Sequence, residues 1–360
     1  MTIDDVFMKL TEHPFTTIGL ADREKFHTGM LSFVINGLID DKKRALLTEL
    51  WGSDTVNHCS FHESKAPNSI KSLVEQNSLV LVVKQGTDVK LWAEMKFKTT
   101  LSKDQLSKYQ KNYPKAVGVL FALFTGVEKL PDGITEKAFP EIIVSFFDKN
   151  PLEDHIWKTR GRDEIALVRL WHQYLGYISQ LTREFAARGA ETIQNKSTWV
   201  GGLKAIKLQG VFQHYRHAKF REMVDAKGLK GAFPDVGVDQ FNSHGNPGIE
   251  FFYELLPKQK PGRTGLQWQS GSLKLFAIGE SENDTVRDQR LENLREGFPV
   301  IPETLGGLDN QSMSNGKFKS CTVANWNIMD AITDDQVSAL FKGLSYLQEE
   351  HEDHKLVSPT

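Results

Sequence analysis

Apolar positions change their period along the chain, and each change marks an element. From Asp22 to Ile39, Phe26, Met30, Phe33, Val34 and Leu38 recur at helical spacing, with Asp22 as a candidate cap and Gly37 near the end. Lys42 to Trp51 reads as a second helix stopped by Gly52-Ser53, and Val56 to Phe61 as an extended segment. After Pro67-Asn68-Ser69, the spacing of Ile70, Leu73 and Val74 predicts a short amphipathic turn or helix. Leu79–Lys84 and Val89–Phe97 read as strands around the turn signal Gln85-Gly86-Thr87-Asp88. Leu101 to Asn112 reads as a helix ended by Pro114. Gly118–Phe124 and Ile142–Phe147 read as strands whose near-continuous apolar character fits cover on both faces. The pattern over residues 20–150 predicts an α/β sandwich with a mixed sheet.

One long helix is predicted from Asp163 to Arg188, striped by Ile165, Val168, Trp171, Leu175, Ile178, Leu181 and Phe185. Beyond it, Gly210–Tyr215, Gly248–Leu256, Gly265–Trp268 and Ser272–Ile278 read as extended. His217–Ala226, Asp284–Glu296 and Asp334–Gln348 read as helical. The expected organisation is therefore an α/β domain over 1–150, a connecting helix over 151–190, an α+β domain over 191–348 and a loose charged tail over 349–360.

Bulk composition narrows the classes. The 44 basic and 46 acidic side chains leave a net charge of -2, so any nucleic-acid-binding surface must be local. Cys59 and Cys321 are too few and too far apart for a disulfide framework, which fits a reducing compartment. The acidic start Met1-Thr2-Ile3-Asp4-Asp5 lacks the features of a secretory signal. No apolar run approaches the ~20 residues a membrane span needs. A cytoplasmic protein without membrane contact is the expectation.

The richest chemistry lies between Leu79 and Tyr109. Glu94 and Lys96, two apart on a strand, point to one face. Their neighbours Leu91, Trp92, Ala93, Met95 and Phe97 are apolar, which argues for a sheltered pair. With the turn centred on Gly86-Thr87, facing positions sum to roughly 173, which sets Glu94 opposite Leu79 and Lys96 opposite Asn77. A sheltered carboxylate, helped by the backbone carbonyl of Met95 and a second acid, would hold Mg²⁺ or Mn²⁺ through hard oxygens. Such an ion stabilises charge on phosphorus oxygens and acidifies water. Lys96 would position that water or stabilise the transition state.

This constellation resembles the PD-(D/E)XK nuclease superfamily. Glu94-Met95-Lys96 is similar to its E-x-K element, and Gln105-Leu106-Ser107-Lys108-Tyr109 to the Q-x-x-x-Y helix that follows in many members. Glu24-Lys25-Phe26-His27-Thr28-Gly29-Met30-Leu31 resembles the E-x-x-H-S-x-x-L helix of one uncharacterised branch, whose glutamate sits near the metals. The resemblance implies a restriction-endonuclease-like αβββαβ core and a nuclease acting on DNA, in a setting such as phage defence or a mobile element. It implies Glu94 as metal ligand, Lys96 as catalytic group and Gln105 as support. The family's first acid, an aspartate, falls on Asn77 by the register above. Three explanations stay open: Glu75 serves as a migrated acid; Asn77 is an inactivating replacement; or the domain has lost catalysis and binds nucleic acid or a protein partner. Pro67-Asn68 is a lower-ranked place for the missing acid. Asp88 lies roughly 20 Å along the strand from Glu94 and is excluded.

Other features carry less. Eight basic residues between Lys196 and Lys230 face two acidic ones, Glu222 and Asp225, with Trp199, Phe212, Tyr215 and Phe220 interleaved, a candidate phosphate-binding surface. His58, Cys59 and His62 make a weak zinc set, and His351 and His354 fall in the charged tail. No phosphate-binding P-loop, dinucleotide fingerprint or nucleophile elbow occurs. A homo-oligomer or protein partner through the C-terminal domain is left open.

Overall fold

Thr2 and Asp5 start the chain with reciprocal side-chain caps, which satisfy the amide groups that a first helical turn leaves open. Helix α1 (Ile3–Glu12) follows, then α2 (Pro14–Thr17), α3 (Glu24–Gly37), α4 (Asp40–Trp51) and α5 (Ser53–His58). The sheet elements of the first half are β1 (Ile70–Val74), β2 (Leu81–Gln85), β3 (Asp88–Lys96), β4 (Val117–Ala122) and β5 (Ile134–Ala138), with α6 (Gln105–Asn112) between β3 and β4. Next come α7 (Phe139–Lys149), a 3₁₀ turn at Asp154–Ile156, α8 (Arg162–Ala187), α9 (Lys196–Ala205), α10 (Gln209–Ala226) and α11 (Leu229–Ala232). The last part holds β6 (Gly237–Ser243), β7 (Asn246–Leu255), β8 (Gly262–Gln269), β9 (Ser272–Ile278), α12 (Asp284–Gly297), β10 (Ser312–Asn315), β11 (Phe318–Asn325) and α13 (Asp334–Leu356). The computed structural model describes residues 1–20, 23–58, 70–74, 81–85, 87–97, 105–127, 130–158, 161–188, 196–243, 246–255, 262–278, 284–301, 312–315, 318–327 and 332–356.

The chain divides into two units: Met1–Ala187 with Ser197–Val211, and Arg188–Lys196 with Phe212–Thr360. The long helix α8 thus belongs to the first unit. That unit is built on a mixed sheet in the order β1-β2-β3-β4-β5, antiparallel from β1 to β3 and parallel from β3 to β5. Helices cover both faces, as a sheet with parallel central strands requires. On one face Leu106 and Tyr109 of α6 pack with Val82, Trp92 and Ile134. On the other, Trp51 of α4 and Phe139 of α7 meet the ring of Phe121. Trp92 presses on β4 so closely that a Cβ at Gly118, its cross-strand partner, would come within 2.1 Å of the indole.

Four elements depart from the expected pattern. Ile142–Phe147, expected as a strand, lies in α7: Phe139, Ile143, Phe146 and Phe147 are buried at helical spacing, while Glu141 and Asp148 face water. Ile70–Val74, expected as a turn or helix, is the edge strand β1, because Asn36 of α3 grips it. The Asn36 amide donates to Ser72 O at 2.8 Å and accepts from Ser72 N at 2.9 Å, mimicking a neighbouring strand. Val56–His58, expected as extended, lies in α5. Gly210–Tyr215, also expected as extended, is the start of α10, whose Phe212 and Tyr215 are buried.

The hairpin register also differs. Leu81 pairs with Ala93 and Val83 with Leu91, but Lys84 pairs with Val89, so Lys90 is an extra residue on β3. This bulge displaces by one every pair beyond it. The described pairs from Val83–Leu91 to Leu81–Ala93 are therefore one residue out of the expected register, and Asn77 lies outside the described residues.

The second unit is α+β. Its six strands run antiparallel in the order β10-β11-β9-β8-β7-β6. One face carries Ile249, Phe251, Leu266, Trp268, Leu275 and Val323 against Phe220 of α10, Leu291 of α12, and Leu340 and Leu344 of α13. The tail expected to be loose from residue 349 is helical through Leu356, because α13 continues. His351 is buried on that turn and stacks on Tyr253 of β7.

Candidate active site

Strand β3 runs through the middle of its sheet, which is why Glu94 sits where water does not reach. Its side chain is 2 % exposed. The alternation of the strand turns Trp92, Glu94 and Lys96 to the same face, the face covered by α6. Gln105, at the start of α6, donates from Nε2 to Glu94 Oε1 at 2.7 Å and to the Tyr109 hydroxyl at 3.2 Å. The four-residue spacing of Gln105 and Tyr109 stacks them one helical turn apart. The Tyr109 ring meets Trp92 edge-on at 5.6 Å, which anchors the helix to the strand.

Lys96 closes the site. Its Nζ lies 3.1 Å from Glu94 Oε1 and 3.7 Å from Glu24 Oε2. Glu24 enters from the first turn of α3, where the helix dipole favours a carboxylate. Its other oxygen accepts the backbone N–H of Phe97 at 3.2 Å. One ammonium therefore stands between two carboxylates from distant parts of the chain.

Burial pushes the Glu94 carboxyl up to about 7, against the downward pull of the Lys96 charge and hydrogen bond; the Glu24 charge adds to the rise. Burial also raises the Tyr109 hydroxyl, with the Gln105 hydrogen bond opposing it and the Glu94 charge adding to it. Glu94 Oε2 is buried and has no hydrogen-bond partner among the described residues. A buried carboxylate oxygen without a partner is costly and asks for a cation or a donor. Of the groups gathered here, the two carboxylates supply hard oxygens of the kind Mg²⁺ or Mn²⁺ takes, while Lys96 and Gln105 present nitrogen donors to them. Among the described residues no three His, Cys, Asp or Glu side chains gather as a metal site.

Of the residues expected from sequence, Glu94, Lys96, Gln105 and Tyr109 come together here, and Glu24 joins them. Met95 lies between Glu94 and Lys96 on β3 with its side chain buried on the opposite face, beside Phe121 in register. Glu75, Asn77, Pro67, Asn68, Cys59 and His62 lie outside the described residues. Asp88 is exposed and paired with Lys90 at 3.5 Å, away from the centre.

Within the basic run Lys196–Lys230, Lys196, Lys204, Lys207, Lys227 and Lys230 are exposed, but the interleaved aromatics do not join them at the surface. Trp199, Phe212, Tyr215 and Phe220 are all buried, as are Arg216, His214 and His217. Burial, with His214 close by, drives His217 down to about 3, so it is neutral near pH 7. Lys219, Arg221 and Lys227 pair with Glu222, Asp225 and Asp334, and Lys230 donates to the Val236 carbonyl.

Trp171, His27 and Phe97 back the site, and sequence reasoning did not join them. His27 is separated from Trp171 by 144 residues, and no local spacing signals their contact. No helix among the described residues is long and apolar enough to cross a membrane. Comparison with known protein families, with curated proteins and with solved structures finds no match.

Proposed function

We propose that Glu24, Glu94, Lys96 and Gln105 form the catalytic centre of a metal-dependent nuclease that hydrolyses phosphodiester bonds, with DNA as substrate. The observation that carries this reading is the unpartnered Glu94 Oε2, buried beside an ammonium and a second carboxylate. The succession α3, β1, β2, β3, α6, β4, with β3 parallel to β4, supports it as well. Glu94 and Glu24 would hold Mg²⁺ or Mn²⁺, which supplies charge neutralisation at phosphorus and a more acidic water.

The chain's own residues divide the remaining work. Gln105 fixes the Oε1 atom of Glu94. Lys96, drawn to both carboxylates, would supply positive charge to a phosphate oxygen that gains negative charge. The α6 helix and Trp92 keep bulk water from the pair, which strengthens each electrostatic contact.

The test is incubation of the purified chain with plasmid DNA and Mg²⁺ or Mn²⁺, beside Glu94→Ala and Asn77→Asp variants. Cutting that Glu94→Ala abolishes supports the enzyme. Cutting that appears only in Asn77→Asp means that the chain is a silent nuclease-like module, the reading that Asn77 favours. No cutting by any version overturns the proposal.

A further inference from the structure

His27 lies three residues after Glu24 on α3 and is fully buried. Its Nδ1 accepts a hydrogen bond from Trp171 Nε1 of α8 at 3.1 Å. Its ring lies flat on Phe97, with centroids 3.9 Å apart and planes 15° apart. Phe139 meets the same Phe97 ring edge-on at 6.2 Å. Phe97 is the first residue past β3, where the ladder to β4 ends at Lys96–Ala122. Its N–H leaves the sheet and donates to Glu24 Oε1 instead. A ring held on both sides restricts how far the Phe97 backbone, and with it the N–H, can move.

We propose that His27 is a positioning residue for Glu24. Trp171 holds the imidazole, the imidazole holds the Phe97 ring, and the Phe97 amide holds one carboxylate oxygen so that the other faces Lys96. In this chain of contacts His27 reaches Glu24 through Phe97. What Glu24 is positioned for rests on the nuclease reading above; the clamp itself is a statement of geometry. Groups that orient metal-site carboxylates usually matter for metal affinity as well as for order.

Two substitutions in the full chain separate the ring from the hydrogen bond. His27→Asn keeps an acceptor near Nδ1 and removes the stacked ring. His27→Phe keeps a ring and removes the acceptor. Three quantities are read: hydrogen exchange at the Phe97 amide, Mn²⁺ affinity from the free-ion EPR signal, and melting temperature. His27→Asn should speed Phe97 exchange about tenfold relative to other β3 amides. It should weaken Mn²⁺ binding about 10- to 100-fold. His27→Phe should lower the melting temperature by orphaning the Trp171 donor, yet leave both other quantities near wild type. Unchanged Phe97 protection in His27→Asn overturns the proposal. So does a loss of protection that tracks melting temperature equally in both variants. Should His27→Asn fail to fold, Phe97→Leu, which keeps the amide and removes the ring, carries the same expectation. A wild-type chain that binds no Mn²⁺ overturns the metal reading of the site, while Phe97 protection still decides the role of His27.

Discussion

Glu94 is the residue where stability and chemistry pull apart. Its carboxyl is raised in the folded chain, from an ordinary 4.5 to about 7. Between those values the folded state holds a proton that the unfolded chain has released, so stability falls as pH rises through the window. Glu94→Gln removes the charge and leaves an oxygen for Gln105. It should flatten the pH dependence between 5 and 7 and gain up to about 3 kcal/mol above it. Urea midpoints of both chains from pH 5 to 8 check this; parallel curves would mean that the group ionises freely when folded. Gly118 makes the opposite case. Its missing side chain is the space that Trp92 fills. Gly118→Ala should cost about 1–3 kcal/mol through overpacking, read as a lower urea midpoint with unchanged slope.

The grip of Asn36 on Ser72 is the matching feature at the level of elements. Two hydrogen bonds tie α3 to an edge strand of only five residues. Asn36→Ala should cost about 1–2 kcal/mol and raise hydrogen exchange in β1 ahead of β3, measured amide by amide. This tie also explains what the sequence concealed. Ile70, Leu73 and Val74 fit a helical period as well as a short strand, and only a contact from 36 residues away decides between them. In α7 the apolar run Ile142–Phe147 hides the period carried by Phe139, Ile143, Phe146 and Phe147. The extra Lys90 has no signature of its own, since any residue fits a bulge, yet it shifts the pairing on which Asn77 was placed. Glu94, Lys96 and Gln105 were legible because strand and helix spacing bring them together locally. The clamp of Trp171, His27 and Phe97 was not, because tertiary packing alone creates it.

The whole molecule consists of two separately cored units, and each offers its own reporter. Cys321 lies within the core of the second unit, and burial pushes its thiol up to about 11. It should react with a maleimide only when that unit opens. In a Cys59→Ser background, the labelling rate should therefore rise with urea as the second unit unfolds, and fast labelling in native buffer would refute the burial of the thiol. Pro- and Gly-punctuated strands and amphipathic helices made the α+β character of this unit readable, whereas the strand order, which brings β11 rather than β10 beside β9, depended on contacts no local pattern encodes.

Helix α13 has a practical corollary for anyone shortening the protein. Its last turns are rich in charge and read like dispensable trimmings, yet His351 lies across the ring of Tyr253 like a lid on a jar. A chain truncated after Gln348 would uncover an aromatic surface that the 360-residue chain keeps dry, and it should clump at concentrations where the longer chain stays dispersed.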